Sequence, residues 1–158
     1  MGFNSLLSTY NTSRSSARVA SAMGNEPESD FSVVRAAVKA ANAAVKADLE
    51  RIVVFRATGP DSVVPPECTT GTIGVTGTCN VYLPADFDAP IDDYGCGVGE
   101  RDSYWCASNR KVSLTGAQGP PDYIGVWVQV RHGMLTGLFG GEKVLTDQTV
   151  MRIEPRRR

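Results

Sequence analysis

The sequence has no run of about 18 consecutive apolar residues, the length a membrane-crossing helix needs. It also lacks the charged start, apolar core and small-residue cleavage site of a secretory signal peptide. Taken literally, these two absences describe a cytosolic chain. Histidine is almost missing: His132 is the single one in 158 residues. That leaves no base to pair with a nucleophilic thiol except a residue at a strand end. Clustered positive charge is missing too. The formal net charge is -1, and three of the 16 basic residues, Arg156, Arg157 and Arg158, form a terminal tail, so the rest of the chain is acidic. A nucleic-acid surface needs a clustered basic face, and no such partner is expected. With 42% hydrophobic and 21% charged residues, the composition is that of one folded domain with a core of its own.

What is present first is helical. Residues 4–23 carry a thin apolar stripe, Leu6, Tyr10, Ala17, Ala20 and Met23 with Leu7 beside it, at spacings that share one side of a helix. The opposite side is Ser, Thr, Asn and Arg, and such a helix is marginal alone in water. The segment GNEPES (24–29) breaks it. Residues 30–50 form the stronger pattern: Asp30 as N-cap, then Phe31, Val34, Val38, Ala41, Val45 and Leu49, with alanines between them that allow close packing on a sheet. The period then changes to two. Strands are expected at 51–58, 79–84, 122–133 and 144–155, the last pair joined by a hairpin turn over 135–143. In the third strand Ile124, Val126, Val128 and Val130 share one face and Tyr123, Trp127, Gln129 and Arg131 the other. Long loops fill 59–78 and 85–121. Helices followed by strands, without alternation, imply an α+β fold with an antiparallel sheet of about four strands.

Four cysteines, Cys68, Cys79, Cys96 and Cys106, allow three disulfide connectivities. Sequential pairing asks least of the chain, closing two short loops at a gain of roughly 3 kcal/mol each in the loop-entropy model. Zinc is the competing reading, but structural zinc sites favour pairs separated by two to four residues, unlike these. Four free thiols are the remaining alternative. Asp86, Asp88, Asp92 and Asp93 are candidate calcium ligands, although their spacing is not that of an EF-hand loop and Asp is also a common turn residue. The Gly-rich stretches 116–123 and 136–141 have no phosphate-loop spacing, and no cofactor motif is present. Leu138 and Phe139 sit at the tip of the expected hairpin, where they would either pack on the sheet or contact a partner. No nucleophile, base and orienting residue fall into one pattern, so the chain does not read as an enzyme.

Several segments in order resemble one family. ARVASAMGN (17–25), IVVFRATGP (52–60) with the following VPPEC, CNVY (79–82), a loop ending in WC, GPPDYIGVWVQVRH (119–132), TGLFG and LTDQTVMRIEP (145–155) are together similar to the extracytoplasmic part of TadE-like proteins of tight-adherence (Flp-type) pili. The resemblance implies a pilin-like fold, with an N-terminal helix leading into a small α+β head. It implies a role as minor pilin or pseudopilin, with other pilin subunits and the assembly machinery as partners, and no catalytic residues. It also implies a membrane helix and a prepilin-peptidase processing site just before residue 2, with Met1 an introduced start, and so an extracytoplasmic location. Leu6, Tyr10 and Ala17 are then candidate partner contacts. The alternative function is a surface adhesin or binding module that uses the cysteine loops or the 136–141 tip.

Overall fold

The computed structural model describes residues 2–42, 47–113, 120–133 and 142–155. Helix α1 spans Gly2–Met23 and α2 spans Ser29–Asn42. Gly24 adopts a positive φ of 57° just after α1, and its N–H caps the carbonyl of Ala20. Four strands follow: β1 (Ala47–Ala57), β2 (Cys79–Tyr82), β3 (Tyr123–Gly133) and β4 (Glu142–Arg152). They form one antiparallel sheet in the order β2-β1-β3-β4. α1 packs on α2, β3 and β4, while α2 packs on β1. The fold is therefore α+β, two N-terminal helices on a four-strand antiparallel sheet.

Both faces of the sheet are covered, and the pleat explains how. On β1, Ile52 and Val54 point to the helices and join Val33, Val34, Ala37, Ile124, Val126, Val128 and Ile153 in the main core. Val53, Phe55 and Ala57 point the other way, into a second cluster with Val64, Cys68, Cys79, Val81 and Trp127. The segment between β1 and β2 supplies that second cover, including the short helix α3 (Pro66–Thr70). A central strand buried on both sides needs a continuous β-branched and aromatic run, which is what IVVF provides. At one point the packing leaves room only for glycine: a Cβ on Gly125 of β3 would overlap the ring of Phe55, its partner on β1.

The second helix is shorter than its periodicity suggests. It ends at Asn42 instead of continuing to 50, and Ala47–Glu50 belong to β1. Ala47, Asp48 and Leu49 pair with His132, Arg131 and Val130, so the long third strand keeps its backbone partners to its end. The register shifts between Leu49 and Arg51. Glu50, at that irregularity, accepts hydrogen bonds from Gln129 Nε2 and Arg131 Nε, both at 2.9 Å. Strand pairing outweighs the local helical preference of the sequence there.

α1 is where the sequence pattern and the packing differ most. Its inner side is Thr9, Thr12, Ser13, Ser16, Ala17, Ala20 and Ser21, all buried, whereas Tyr10 is 43% exposed. Of the expected stripe, Ala17 and Ala20 face inward and Met23 is half-buried, while the side chains of Leu6 and Leu7 lie outside the described residues. Small side chains let the helix approach the sheet closely, and their hydroxyls are satisfied on the spot. Ser16 donates to the Thr12 carbonyl at 2.7 Å, Ser13 donates to Asp147 Oδ2 at 2.6 Å, and Ser21 donates to the Arg152 carbonyl at 2.7 Å. Hydroxyl contacts to β4 thus do what a wider apolar stripe does elsewhere.

Candidate functional site

Both disulfides are sequential. Cys68 bonds Cys79 with Cα atoms 6.5 Å apart, and Cys96 bonds Cys106 at 5.6 Å. They occupy different environments. Cys68 and Cys79 are fully buried against Phe55, Val53 and Trp127, so this bridge is part of the second core. Cys79 also starts β2 and pairs with Phe55. The Cys96–Cys106 bridge is more open, with Cys96 exposed and Cys106 half-buried; it closes a loop that contains the 3-10 turn Ser103–Trp105, and a second such turn, Ala107–Asn109, follows it.

That second loop is fastened to the rest of the chain by a buried polar cluster. The outward alternation of β2 sends Cys79 and Val81 to one face and Asn80 and Tyr82 to the other, under α2. Asp30, in the first turn of α2, accepts from Asn80 Nδ2 at 2.8 Å and from the Tyr82 hydroxyl at 2.5 Å, both through Oδ2. Its Oδ1 lies 2.8 Å from Arg110 Nη1, an ion pair set off-line for a hydrogen bond. Arg110 also donates to the Trp105 carbonyl at 3.1 Å and lies over the Trp105 ring at 4.3 Å. Asn80 clamps Trp105 from both sides, donating to its carbonyl at 2.9 Å and accepting from its N–H at 2.8 Å. The Tyr82 hydroxyl also contacts Asp102 Oδ1 of the loop. Tyr82, Asp30, Asp102 and Arg110 are all nearly inaccessible to water.

Burial dominates the electrostatics. Loss of solvent, then the Asp30 charge, pushes the Asp102 carboxyl up to about 7. Loss of solvent, followed by the two neighbouring carboxylates, holds Tyr82 far above the ordinary phenol range. Tyr94 is raised for the same first reason, with Asp86 and Asp102 adding to it. It stacks on Tyr82 with centroids 5.7 Å apart and meets Phe31 of α2 edge-on at 5.3 Å. The aromatics extend the fastening of the loop to α2.

On the surface, the two cysteine loops wall one open cleft of about 490 Å³. Thr72 and Ile73 come from the first loop, Gly99 to Arg101 and Tyr104 from the second, and Asp86, Asp92 and Asp93 from between them. Asp86 is already committed: Oδ2 accepts from the Leu83 N–H at 2.8 Å, and Oδ1 pairs with Arg101 Nε at 2.6 Å. Among the described residues no three His, Cys, Asp or Glu side chains stand together as a metal site. Ile73 of the cleft wall is exposed, as are Ile91 and Val98, the chain neighbours of the lining residues Asp92 and Gly99.

The structure separates the residues singled out as partner contacts. Tyr10 faces solvent, where Arg14 stacks on its ring at 5.6 Å. Ala17 lies wholly inside the chain's own core, so it is closed to any partner. Leu6 lies in the backbone of α1, and Leu138 and Phe139 fall outside the described residues. The buried cluster is not legible in the sequence, because Asp30, Asn80, Asp102 and Arg110 are scattered over 81 positions, with Asp30 reading as a helix cap and Asp102 and Arg110 as loop residues. The nearest signal was polar Asn80 inside an otherwise apolar strand. Compared with known proteins, the chain matches no family model, no curated protein and no solved structure.

Proposed function

We propose that this chain is a structural subunit, a minor pilin or pseudopilin, of a tight-adherence (Flp-type) pilus. The observation that carries the reading is the division of α1. One side, Thr9 through Ser21, seats the helix on its own sheet, while Tyr10, Asn11, Arg14 and Arg18 face outward together. An outward helix side next to a small α+β head is the surface a neighbouring subunit would pack against. The segment resemblance along the chain points the same way. Two disulfides point to an oxidising, extracytoplasmic compartment, as a pilus subunit requires. No described helix is long and apolar enough to cross a membrane. The reading therefore expects the anchor in a segment preceding α1 in the full-length protein. It assigns no catalytic step, cofactor or metal.

Tyr10→Ala in the full-length protein tests it. Piliation should fall while the soluble domain keeps its melting temperature, because Tyr10 contributes little to the core. Normal piliation in that variant would count against the assignment.

A binding or adhesin module is the second reading, favoured by the cleft that both cysteine loops wall. Removing residues 97 to 105 is not a clean test of it, since that stretch contains Asp102 and Trp105 of the buried cluster. Ile73→Ser with Val98→Ser changes exposed side chains only. An adhesin would lose attachment and still make pili; a subunit without a binding role would keep both.

A further inference from the structure

The Tyr82 hydroxyl carries one proton and faces two carboxylates, Asp30 Oδ2 and Asp102 Oδ1. It can donate to only one of them. Asp30 is the acceptor fixed by its surroundings, because Arg110 and Asn80 also point positive or donor groups at it. If Asp102 were ionised as well, its oxygen would meet the lone pairs of Tyr82 with no hydrogen between them. Two buried carboxylates would then share the single cation Arg110. With a proton on Asp102, the row closes: Asp102 donates to Tyr82, Tyr82 donates to Asp30, and the charges of Asp30 and Arg110 cancel.

We propose that the Asp102–Tyr82–Asp30 row holds a proton in the native fold, and that this proton latches the Cys96–Cys106 loop onto α2 and β2, so that losing it releases the loop. The groups facing Asp102 are Asp30 from α2, Tyr82 from β2, Arg110 from the turn after the loop, and Glu100 with Tyr94 from the loop side. Asp30 and Glu100 favour the proton, and Arg110 and the Tyr82 contact oppose it, with burial the largest influence. In the released loop Asp102 returns to an ordinary carboxyl near 4. The closed form therefore binds more protons than the open one between about pH 4 and pH 7. The latch is fully made below that window, weakens through it, and is lost as pH passes the closed-state value of about 7. The disulfide keeps the loop ends joined throughout, so the change is local.

Hydrogen exchange on the intact chain reads the latch through two amides of the loop, Trp105 N–H on Asn80 Oδ1 and Asp102 N–H on the Gly95 carbonyl. After correction for intrinsic exchange, their protection should fall about tenfold per pH unit from pH 5 to 6.5 and level off above 7. In Asp102→Asn the amide donates to Tyr82 without titrating, and loop protection should no longer depend on pH. A flat wild-type profile, or the same slope in Asp102→Asn, overturns the proposal. Carbon-13 NMR of the Asp102 carboxyl in the unmodified chain decides independently of whether that variant folds. A midpoint near 7 supports the latch, and one near 4 overturns it.

Discussion

Replacing Cys68 and Cys79 together by alanine should cost more stability than replacing Cys96 and Cys106, although the two bridges span nearly equal lengths of chain. The sequence separations are 11 and 10 residues, so the loop-entropy contribution is about 3 kcal/mol for each. The difference lies in burial. Cys68 and Cys79 are both 0% exposed, packed on Phe55 and Trp127, and each deleted sulfur removes about 1 kcal/mol of transfer free energy plus a cavity cost of similar size. The first double variant should therefore lose roughly 5–7 kcal/mol and the second roughly 3 kcal/mol. For a chain of this size each kcal/mol is about 2–4 °C in melting temperature, so the gap should be at least about 4 °C. Circular dichroism melts and urea titrations of the three oxidised proteins read it directly. Equal losses, or a larger loss for Cys96→Ala with Cys106→Ala, would refute the claim that the first bridge is a core element covering the second face of the sheet.

Gly125→Ala should destabilise by about 1–3 kcal/mol through overlap with the Phe55 ring, and Phe55→Leu should recover part of that loss in a double-mutant cycle by urea denaturation. Arg110→Met leaves Asp30 as an uncompensated buried charge and should cost about 3–5 kcal/mol; Asp30→Asn with Arg110→Met together should cost less than Arg110→Met alone. Ser13→Ala removes the 2.6 Å hydrogen bond from α1 to Asp147 and should cost about 1–2 kcal/mol, with increased exchange at the α1 amides as the accompanying sign. Glu50→Gln should flatten the acid limb of stability. The Gln129 and Arg131 contacts hold the Glu50 carboxyl below its ordinary value, so its contribution is present above that value and disappears as pH falls.

The sheet was legible because its strands carry strong period-two patterns. Ile124, Val126 and Val128 face the helices, as their alternation requires, and Cys79 opens its strand where expected. The cysteine pairing was legible from loop length. Three things were not. The end of α2 was hidden because the helical spacing runs on to Leu49, whereas Ala47–Leu49 pair with β3 instead. The inner side of α1 was hidden because hydroxyl side chains look solvent-facing, yet here Ser13, Ser16 and Ser21 bond to β4 and to the preceding turn. The Asp30–Tyr82–Asp102–Arg110 cluster was hidden because its members meet only after β2 passes beneath α2, and no local pattern links them.

The central claim, that this domain is a building part of a pilus, is tested most directly in the organism that makes it. Surface filaments are sheared from wild-type cells and from a strain lacking this chain, counted by electron microscopy, and the purified fraction is searched for the chain by mass spectrometry. A pilin role predicts that filaments are lost or sharply reduced without the chain and regained when it is supplied in trans. Normal filament numbers in the deletion strain, with the chain absent from wild-type filaments, would contradict it.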